Sequence, residues 1–243
     1  MRGVGDFYAM ALDTLVAIPR RPFAWREFLL QCWFIARVSL VPALLLAVPF
    51  TVLTAFTLNT LLVDFGAADA AGTGAAVAMA QLGPIVTVLV VAGAGATAIC
   101  ADLGARTIRE ELDALRVMGI DPIQSLVVPR VMAAGLVAVL LSAVVSLATL
   151  TGSFLFSVFV QNATPGYYVG GLTLLTGPQD VLVVLIKSGL FGLAAGLIGC
   201  YKGISVGGGP AGVGNAVNET VVYSFLALYV INLLVTAGQF GVS

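Results

Sequence analysis

Residues 106–122, RTIREELDALRVMGIDP, form the most charged segment of a chain that is otherwise nearly uncharged. The segment carries three arginines and four acidic side chains, and long apolar runs lie on both sides of it. Only 9% of the 243 residues are charged, 60% are hydrophobic, and the mean hydropathy is +1.07. Because about a quarter of the residues in a soluble domain are charged, we expect a membrane protein in which this segment joins two spans.

Five apolar runs are long enough to cross a bilayer, because about 20 helical residues span roughly 30 Å of hydrocarbon. They cover residues 38–63, 75–100, 131–160, 181–201 and 221–240. Pro42 and Pro49 are expected to kink the first run. The sequence therefore predicts an all-α integral membrane protein with five transmembrane helices and with its two termini on opposite sides.

The segment before the first run, residues 1–37, mixes aromatic, aliphatic and arginine side chains. This mixture is typical of an amphipathic helix that lies in the membrane interface. Trp25 and Trp33 are then expected at the depth of the headgroups. An ordinary juxtamembrane anchor without any further role is the alternative.

The basic residues predict the orientation of the chain. Ten of the eleven fall in segments that share one side of the membrane: Arg2, Arg20, Arg21, Arg26, Arg37, Arg106, Arg109, Arg116, Arg130 and Lys202. The predicted loops on the other side, residues 64–74 and 161–180, carry none. The positive-inside rule therefore predicts a cytoplasmic N-terminus, cytoplasmic segments at 101–130 and 201–220, and an outward-facing C-terminus, in the plasma (inner) membrane.

The charged segment itself has the pattern of a short amphipathic helix, predicted at about residues 107–120. On a wheel of 100° per residue, one face holds Ile108, Leu112, Leu115 and Gly119, with Met118 beside it, and charged residues cover the rest. Gly119 is expected to permit a bend, and Pro122 is expected to stop the helix. A rigid helix of this kind between two spans would act as a lever, whereas a solvated loop is the alternative.

The sequence lacks the residues that would drive transport or catalysis within the chain. Neither Lys187 nor Lys202, its only lysines, follows a glycine, so there is no phosphate-binding loop of the G-x-x-x-x-G-K-[ST] type. The cores of the five runs contain no Asp or Glu, which disfavours ion coupling. Since the chain has no histidine and no clustered nucleophile, no catalytic or metal site is expected. The energy for transport is then expected to come from another subunit.

Two sequence blocks resemble the permeases of the MlaE/YrbE family. Residues 111–122, ELDALRVMGIDP, followed by LVVPR at 126–130, are similar to the E-x-I-D-A-L-x-x-M-G-x-x-P…L-x-x-P-R segment of that family. A second block runs from Tyr201-Lys202-Gly203 through Gly207 and Gly208 to Asn215 and Asn218. The resemblance covers essentially the whole chain as a single permease domain, residues 1–243, and is closest to the A-type subunits of the actinobacterial YrbE branch.

The resemblance implies partners that the residues alone do not. These are a cytoplasmic ABC ATPase that binds ATP and Mg²⁺, a second YrbE permease in a probable heterodimer, and MCE-domain proteins on the outer side. It also implies that the 107–120 helix is a coupling helix docked on the ATPase. The expected coupling residues are Glu110, Glu111, Leu112, Asp113, Leu115, Met118 and Gly119, and the expected second cytoplasmic motif comprises Lys202, Gly207, Gly208 and Asn215. Where many relatives have Glu before Leu-Gly, this chain has Asp102-Leu103-Gly104.

The resulting hypothesis is a non-catalytic permease subunit of an ATP-driven transporter that moves fatty acids, sterols or phospholipids, in the import direction suggested by the resemblance. A membrane scaffold for lipid-binding proteins and a secondary transporter are the alternatives. Lys187 lies within the fourth run. Its side chain either snorkels outward to pair with Asp180 or attracts an anionic lipid group.

Overall fold

The computed structural model describes residues 2–20, 23–65, 83–160, 164–175 and 177–241. Throughout these residues the regular structure is helical. The α-helices are α1 (Arg2–Ala17), α2 (Trp25–Asp64), α3 (Gly83–Val90), α4 (Thr97–Ile108), α5 (Glu111–Val117), α6 (Val128–Phe159), α7 (Pro165–Leu175), α8 (Pro178–Ile204) and α9 (Gly209–Gly241). Two π-helical turns, Val91–Ala96 and Ile123–Val127, join α3 to α4 and precede α6.

Five helical segments of the described residues are long and apolar enough to cross a membrane. They are Trp25–Leu58, Ile85–Ile108, Ile123–Phe159, Gln179–Ile204 and Gly209–Gly238. This confirms the predicted all-α fold with five candidate spans. Residues 75–82 of the predicted second span, and 66–74 of the loop predicted before it, lie outside the described residues.

The helix ends differ from the predicted span ends. Helix α2 begins at Trp25, not near Val38, and continues through Pro42 and Pro49 to Asp64. At the other end of the chain, α9 begins at Gly209, so most of the loop predicted at 201–220 is helical. The predictions stopped too early because a hydropathy window detects the apolar centre of a helix and not its polar ends.

Helix α1 is separate from the first span and has two faces. Met10, Thr14 and Ala17 are buried, while Tyr8 and Leu12 are about three-fifths exposed. The spacing of the buried residues follows one side of a helix. The amphipathic helix predicted for residues 1–37 is therefore confined to Arg2–Ala17, and residues 25–37 belong to α2.

The described residues form two compact units. The first comprises residues 1–39, 89–138 and 189–243, and its core is built by side chains from α2, α4, α6 and α8. The fully or largely buried members of this core are Ile35, Ile99, Leu103, Leu126, Val127, Val131, Ala133, Ala134, Val137 and Cys200. The elements that carry the charged segment all belong to this unit.

Glycines on one side of α8 bring its backbone close to neighbouring helices of the first unit. A Cβ atom at Gly192 would lie 2.5 Å from the carbonyl oxygen of Ala134 in α6, and one at Gly199 would lie 2.6 Å from the carbonyl oxygen of Ala96. Such small-residue contacts are the common way for transmembrane helices to approach closely. These two glycines therefore pack helices within one chain.

The second unit comprises residues 40–88 and 139–188 and buries a row of hydroxyl side chains along α6. The row consists of Ser142, Ser146, Thr149, Ser153 and Ser157. Thr149 contacts the hydroxyl of Thr51 at 3.2 Å, and the hydroxyl oxygens of Ser153 and Tyr168 lie 2.7 Å apart. Because buried hydroxyls need partners, these bonds fix α2 and α7 against α6.

Candidate functional site: the loop helix and its ion pairs

The charged segment forms a short helix, α5, between the second and third candidate spans. It is shorter than the predicted 107–120, because Ile108 ends α4 and Glu110 adopts a left-handed conformation with φ 59° before α5 begins at Glu111. A non-glycine residue in this region of φ is uncommon. The sharp turn at Glu110 therefore separates the loop helix from the second span.

The C-terminus of α5 is closed by a Schellman motif. Gly119 has φ 77°, its N–H donates to Arg116 O at 3.0 Å, and the Ile120 N–H donates to Leu115 O at 2.9 Å. This is the pattern in which a left-handed glycine satisfies the last carbonyls of a helix. The bend predicted at Gly119 is confirmed.

Pro122 does not stop α5, because the helix has already ended at Val117. It opens the next helical element, where the carboxylate of Asp121 accepts the Ile123 N–H at 2.9 Å. Proline is well tolerated at the start of a helix, where its missing N–H has no partner to lose. The prediction that Pro122 terminates the loop helix was therefore wrong.

The apolar side chains of the loop helix divide into an inner and an outer group. Leu112 is 4% exposed, and Leu115 packs against the core of the first unit. Val117 is 88% exposed and Met118 is 65% exposed. Of the three apolar residues predicted to contact an ATPase, Leu112 and Leu115 thus face this chain itself, and only Met118 lies outside.

A helical wheel predicts which residues share a face but not the direction in which that face points. A single helical wheel drawn over residues 107–120 assumes one continuous axis, but α4 and α5 are separate helices. The face of α5 that carries Leu112 is directed into the bundle. Val117, which the wheel left out of the apolar face, is the most exposed large hydrophobic residue of the segment.

The three carboxylates predicted as coupling residues lie in different surroundings. Glu110 is exposed, and Asp113 accepts a hydrogen bond from Arg116 one turn along the same helix at 2.9 Å. Glu111 pairs with Arg109 at 3.1 Å and with Arg106 at 3.8 Å. Glu110 and Asp113 are thus on the outer surface, whereas Glu111 connects α5 to the end of α4.

A buried ion-pair cluster lies next to the loop helix, and its centre is Arg130. This residue is fully buried; its Nη2 lies 2.6 Å from Asp102 Oδ2, and its Nη1 lies 3.1 Å from Glu27 Oε1. Nη1 also donates to the carbonyl oxygen of Leu126 at 3.0 Å. A buried charge is tolerated only when it is paired and hydrogen-bonded, and Arg130 meets both conditions.

Asp102 also joins Arg130 to the charged segment. Its carboxylate lies 3.3 Å from Arg106 Nε, one turn further along α4. The Asp102 carboxylate therefore reaches two arginines.

An open cleft of about 240 Å³ borders this cluster. Its lining residues are Glu27, Leu30, Gln31, Phe34, Asp102 and Arg106. Gln31 Nε2 donates to Glu27 at 3.0 Å, while Gln31 Oε1 and Arg130 Nε are buried without hydrogen-bond partners among the described residues. The cluster thus holds one spare donor and one spare acceptor.

The second sequence block packs directly against α4, just ahead of the first block. A Cβ atom at Gly104 would lie 3.1 Å from Val206 and 3.3 Å from Val213, and the Thr107 hydroxyl donates to the carbonyl oxygen of Gly203 at 3.1 Å. A methyl group at Gly104 would therefore require the two valine side chains to shift by a few tenths of an ångström. These contacts join segments that lie about 100 residues apart in the chain.

The predicted residues of the second motif lie in different surroundings. Lys202 lies 2.5 Å from Glu219 and places its ammonium 4.4 Å from the ring centroid of Tyr223, a cation–π distance. Gly207 and Gly208 form the connection between α8 and α9, and Asn215 is exposed on α9. Lys202 thus fixes α8 to α9, and Asn215 remains on the surface.

Lys187 belongs to α8 and to the second unit. Its side chain is only 3% exposed. The two predicted roles of Lys187, outward snorkelling and attraction of a lipid anion, stay predictions.

Comparisons with known proteins show the family to which the chain belongs. The family model described as permease MlaE matches residues 28–237. A probable ABC transporter permease protein of Rickettsia bellii is 29% identical over 97% of this chain and 91% of its own length. One from Synechocystis is 34% identical over 64% of this chain and 59% of its own length.

A plant relative is also similar. The chloroplastic protein TRIGALACTOSYLDIACYLGLYCEROL 1 of Arabidopsis thaliana is 31% identical over 65% of this chain and 45% of its own length. The match to the family model includes all five candidate spans except short lengths at the two ends. The chain is thus a multi-pass membrane protein that belongs to the MlaE permease family.

Proposed function

We propose that this chain is the membrane-embedded, non-catalytic subunit of an ATP-driven lipid transporter, and that α5 is the helix on which its ATPase acts. The observation that carries the proposal is the exposed pair Val117 and Met118 on a helix that is closed by tight turns at both ends. Large apolar side chains in a polar loop mark a protein contact. In a family of ABC transporter permeases, the expected contact is an ATPase.

The charges around this pair support the same partner. Glu110 and Asp113 lie exposed on the segment that carries Val117 and Met118, and so does Arg116, so the surface combines an apolar centre with a border of charges of both signs. Charges at the border of an interface steer encounter and set register more than they set affinity. We expect an apolar groove with complementary charges at its border on the ATPase.

Lipid as the cargo is supported by the resemblance to the MlaE/YrbE family and by the name of one relative. The name of the Arabidopsis relative refers to a diacylglycerol lipid. We propose fatty acids, sterols or phospholipids as cargo and import as the direction.

The remaining parts of the assembly are proposed from the sequence resemblance. They are a second YrbE-type permease in a heterodimer, MCE-domain proteins on the outer side, and an actinobacterial A-type identity for this chain. ATP and Mg²⁺ would bind in the ATPase. The whole chain would act as one permease domain in the inner membrane.

Reconstitution tests the function. The chain, purified together with its ATPase, is placed in liposomes that contain a fluorescent phospholipid, and lipid transfer is measured with and without Mg-ATP. We expect transfer that requires ATP hydrolysis and hydrolysis that lipid stimulates. Transfer that follows an ion gradient without ATP would support a secondary transporter instead, and ATP-independent recruitment of lipid-binding proteins without transfer would support a scaffold.

The proposed orientation, with the N-terminus inside, makes a separate prediction. Ser205, between α8 and α9, is exposed, as is Val160 at the end of α6. A cysteine at Ser205 should react with a membrane-impermeant maleimide only after cells are opened, whereas a cysteine at Val160 should react in intact cells. Both cysteines are introduced into a Cys32→Ala background, whose remaining Cys100 and Cys200 are buried, and this background serves as the unlabelled control. Labelling in the reverse pattern would overturn the orientation.

A further inference from the structure

A continuous series of ion pairs connects the loop helix with the buried interior of the first unit. In order, its members are Glu27, Arg130, Asp102, Arg106, Glu111 and Arg109, with successive distances of 3.1, 2.6, 3.3, 3.8 and 3.1 Å. These residues come from α2, α6, α4 and α5 and from the turn between α4 and α5. The series therefore joins the proposed ATPase contact to three candidate spans.

The two ends of the series differ in rigidity. Arg130 is fully buried and held by two carboxylates and a backbone carbonyl. Glu111 and Arg106 are 42% and 32% exposed. A buried, fully paired group is held in place by its surroundings, whereas partly exposed ion pairs contribute little to stability. We call the buried pairs around Arg130 the anchor and the partly exposed pairs around Glu111 the joint.

Arg106 is the residue that connects anchor and joint. Among the described residues it is the side chain that pairs with both Asp102 and Glu111. Arg109 pairs with Glu111 from the outer side but not with Asp102 in the described part of the chain. Because α5 is bounded by left-handed residues at Glu110 and Gly119, its direction depends on side-chain contacts, and the Arg106 bridge is one of them.

The surroundings of Arg106 allow this bridge to move. The cleft of about 240 Å³ lies against Arg106 and Asp102. The cluster also has a spare acceptor, Gln31 Oε1, and a spare donor, Arg130 Nε. Both can form new hydrogen bonds when the ion pairs rearrange. The series therefore has open space beside Arg106 and Asp102, and two polar atoms of the buried cluster have no partner among the described residues.

We infer that Arg106 is a positioning residue, which holds the loop helix on the Asp102–Arg130 anchor and passes its displacement to α2, α4 and α6. The inference rests on the proposed function, in which an ATPase displaces α5. Removing the bridge uncouples the motion of α5 from that of the spans while leaving the outer docking surface of Val117 and Met118 intact.

The test compares Arg106→Gln with Arg109→Gln in the chain purified with its ATPase and placed in liposomes. Both variants remove one arginine that pairs with Glu111, but only the first breaks the link to Asp102. We expect Arg106→Gln to lower the lipid transferred per ATP hydrolysed by about fivefold, the lower end of allosteric coupling effects. ATPase binding should be retained. Arg109→Gln should leave the ratio unchanged, and Arg106→Lys should restore part of it.

A second measurement does not depend on transport. Hydrogen exchange of the chain alone in nanodiscs reports the local stability of α5. Arg106→Gln should speed exchange at residues 114–120 without changing α6, and Arg109→Gln should not. Equal effects of the two variants, or an unchanged exchange rate in Arg106→Gln, would overturn the inference. If the wild-type complex transfers no lipid with ATP, the proposed function fails, and exchange alone decides the role of Arg106.

Discussion

Replacing Arg130 with Met is expected to lower the free energy of unfolding by about 3 kcal/mol, the lower end of the range for removing one partner of a buried ion pair. The substitution keeps the apolar stem but leaves Glu27 and Asp102 facing each other across the place of the guanidinium. The lower end applies because these carboxylates are 24% and 32% exposed and retain some water. Thermal unfolding in detergent should shift down by roughly 6–12 °C for a chain of this size.

Two variants control for the loss of charge alone. Arg116→Met removes an arginine that is 61% exposed and pairs within its own helix, and it should leave the unfolding temperature within about 1 °C, as is usual for surface pairs. Arg130→Lys keeps the charge but contacts only one carboxylate at a time, so it should unfold between the wild type and Arg130→Met. Equal unfolding temperatures for Arg116→Met and Arg130→Met would show that the buried pairs do not stabilise the fold.

The role of Arg130 is the clearest feature that the sequence did not predict. Counted with the other arginines, it contributed only to the predicted orientation. Its partners Glu27 and Asp102 lie 103 and 28 residues away in the chain, and such distant pairings have no periodic signal. The proline-arginine pair in the family-like block was the one local sign that this arginine differed from the others.

The five spans, in contrast, were predictable because hydrocarbon imposes a length and a composition on each of them. The sequence did not predict where each helix begins and ends. Residues 25–37 and 209–220 contain charged and polar side chains that interrupt the apolar runs, yet the helices continue through them because a helix satisfies its own backbone hydrogen bonds.

The sequence predicted that the charged segment forms a short amphipathic helix, but it did not predict the contacts of that helix. Its amphipathic pattern and the bend at Gly119 are local properties, and the structure has both. The left-handed conformation of Glu110 was not predicted, because glutamate carries no preference for it. Leu112 and Leu115 share one face, as the pattern indicates, but a helical wheel does not tell in which direction that face points.

The double variant Val117→Asp with Met118→Asp is expected to abolish stable binding of the ATPase. Both side chains are largely exposed, so their replacement leaves the core of the permease unchanged. In the complex, the two aspartates would place two negative charges in the apolar centre of the interface. Truncation of a central interface residue commonly costs 2 kcal/mol or more, so we expect affinity to fall by at least about 100-fold for the pair. Co-purification and titration of the ATPase onto the chain in nanodiscs measure the loss.

The control for this prediction keeps the apolar surface and changes only its shape. Val117→Ile with Met118→Leu keeps both side chains apolar and adds one methylene in all, so it should bind the ATPase within about threefold of the wild type. The two double variants should also share the unfolding temperature of the wild type, which separates loss of docking from loss of fold. Leu115→Asp should behave differently, because Leu115 packs against the core and its replacement should destabilise the chain before it affects docking. Wild-type affinity in the Val117→Asp, Met118→Asp chain would place the ATPase contact elsewhere on the molecule.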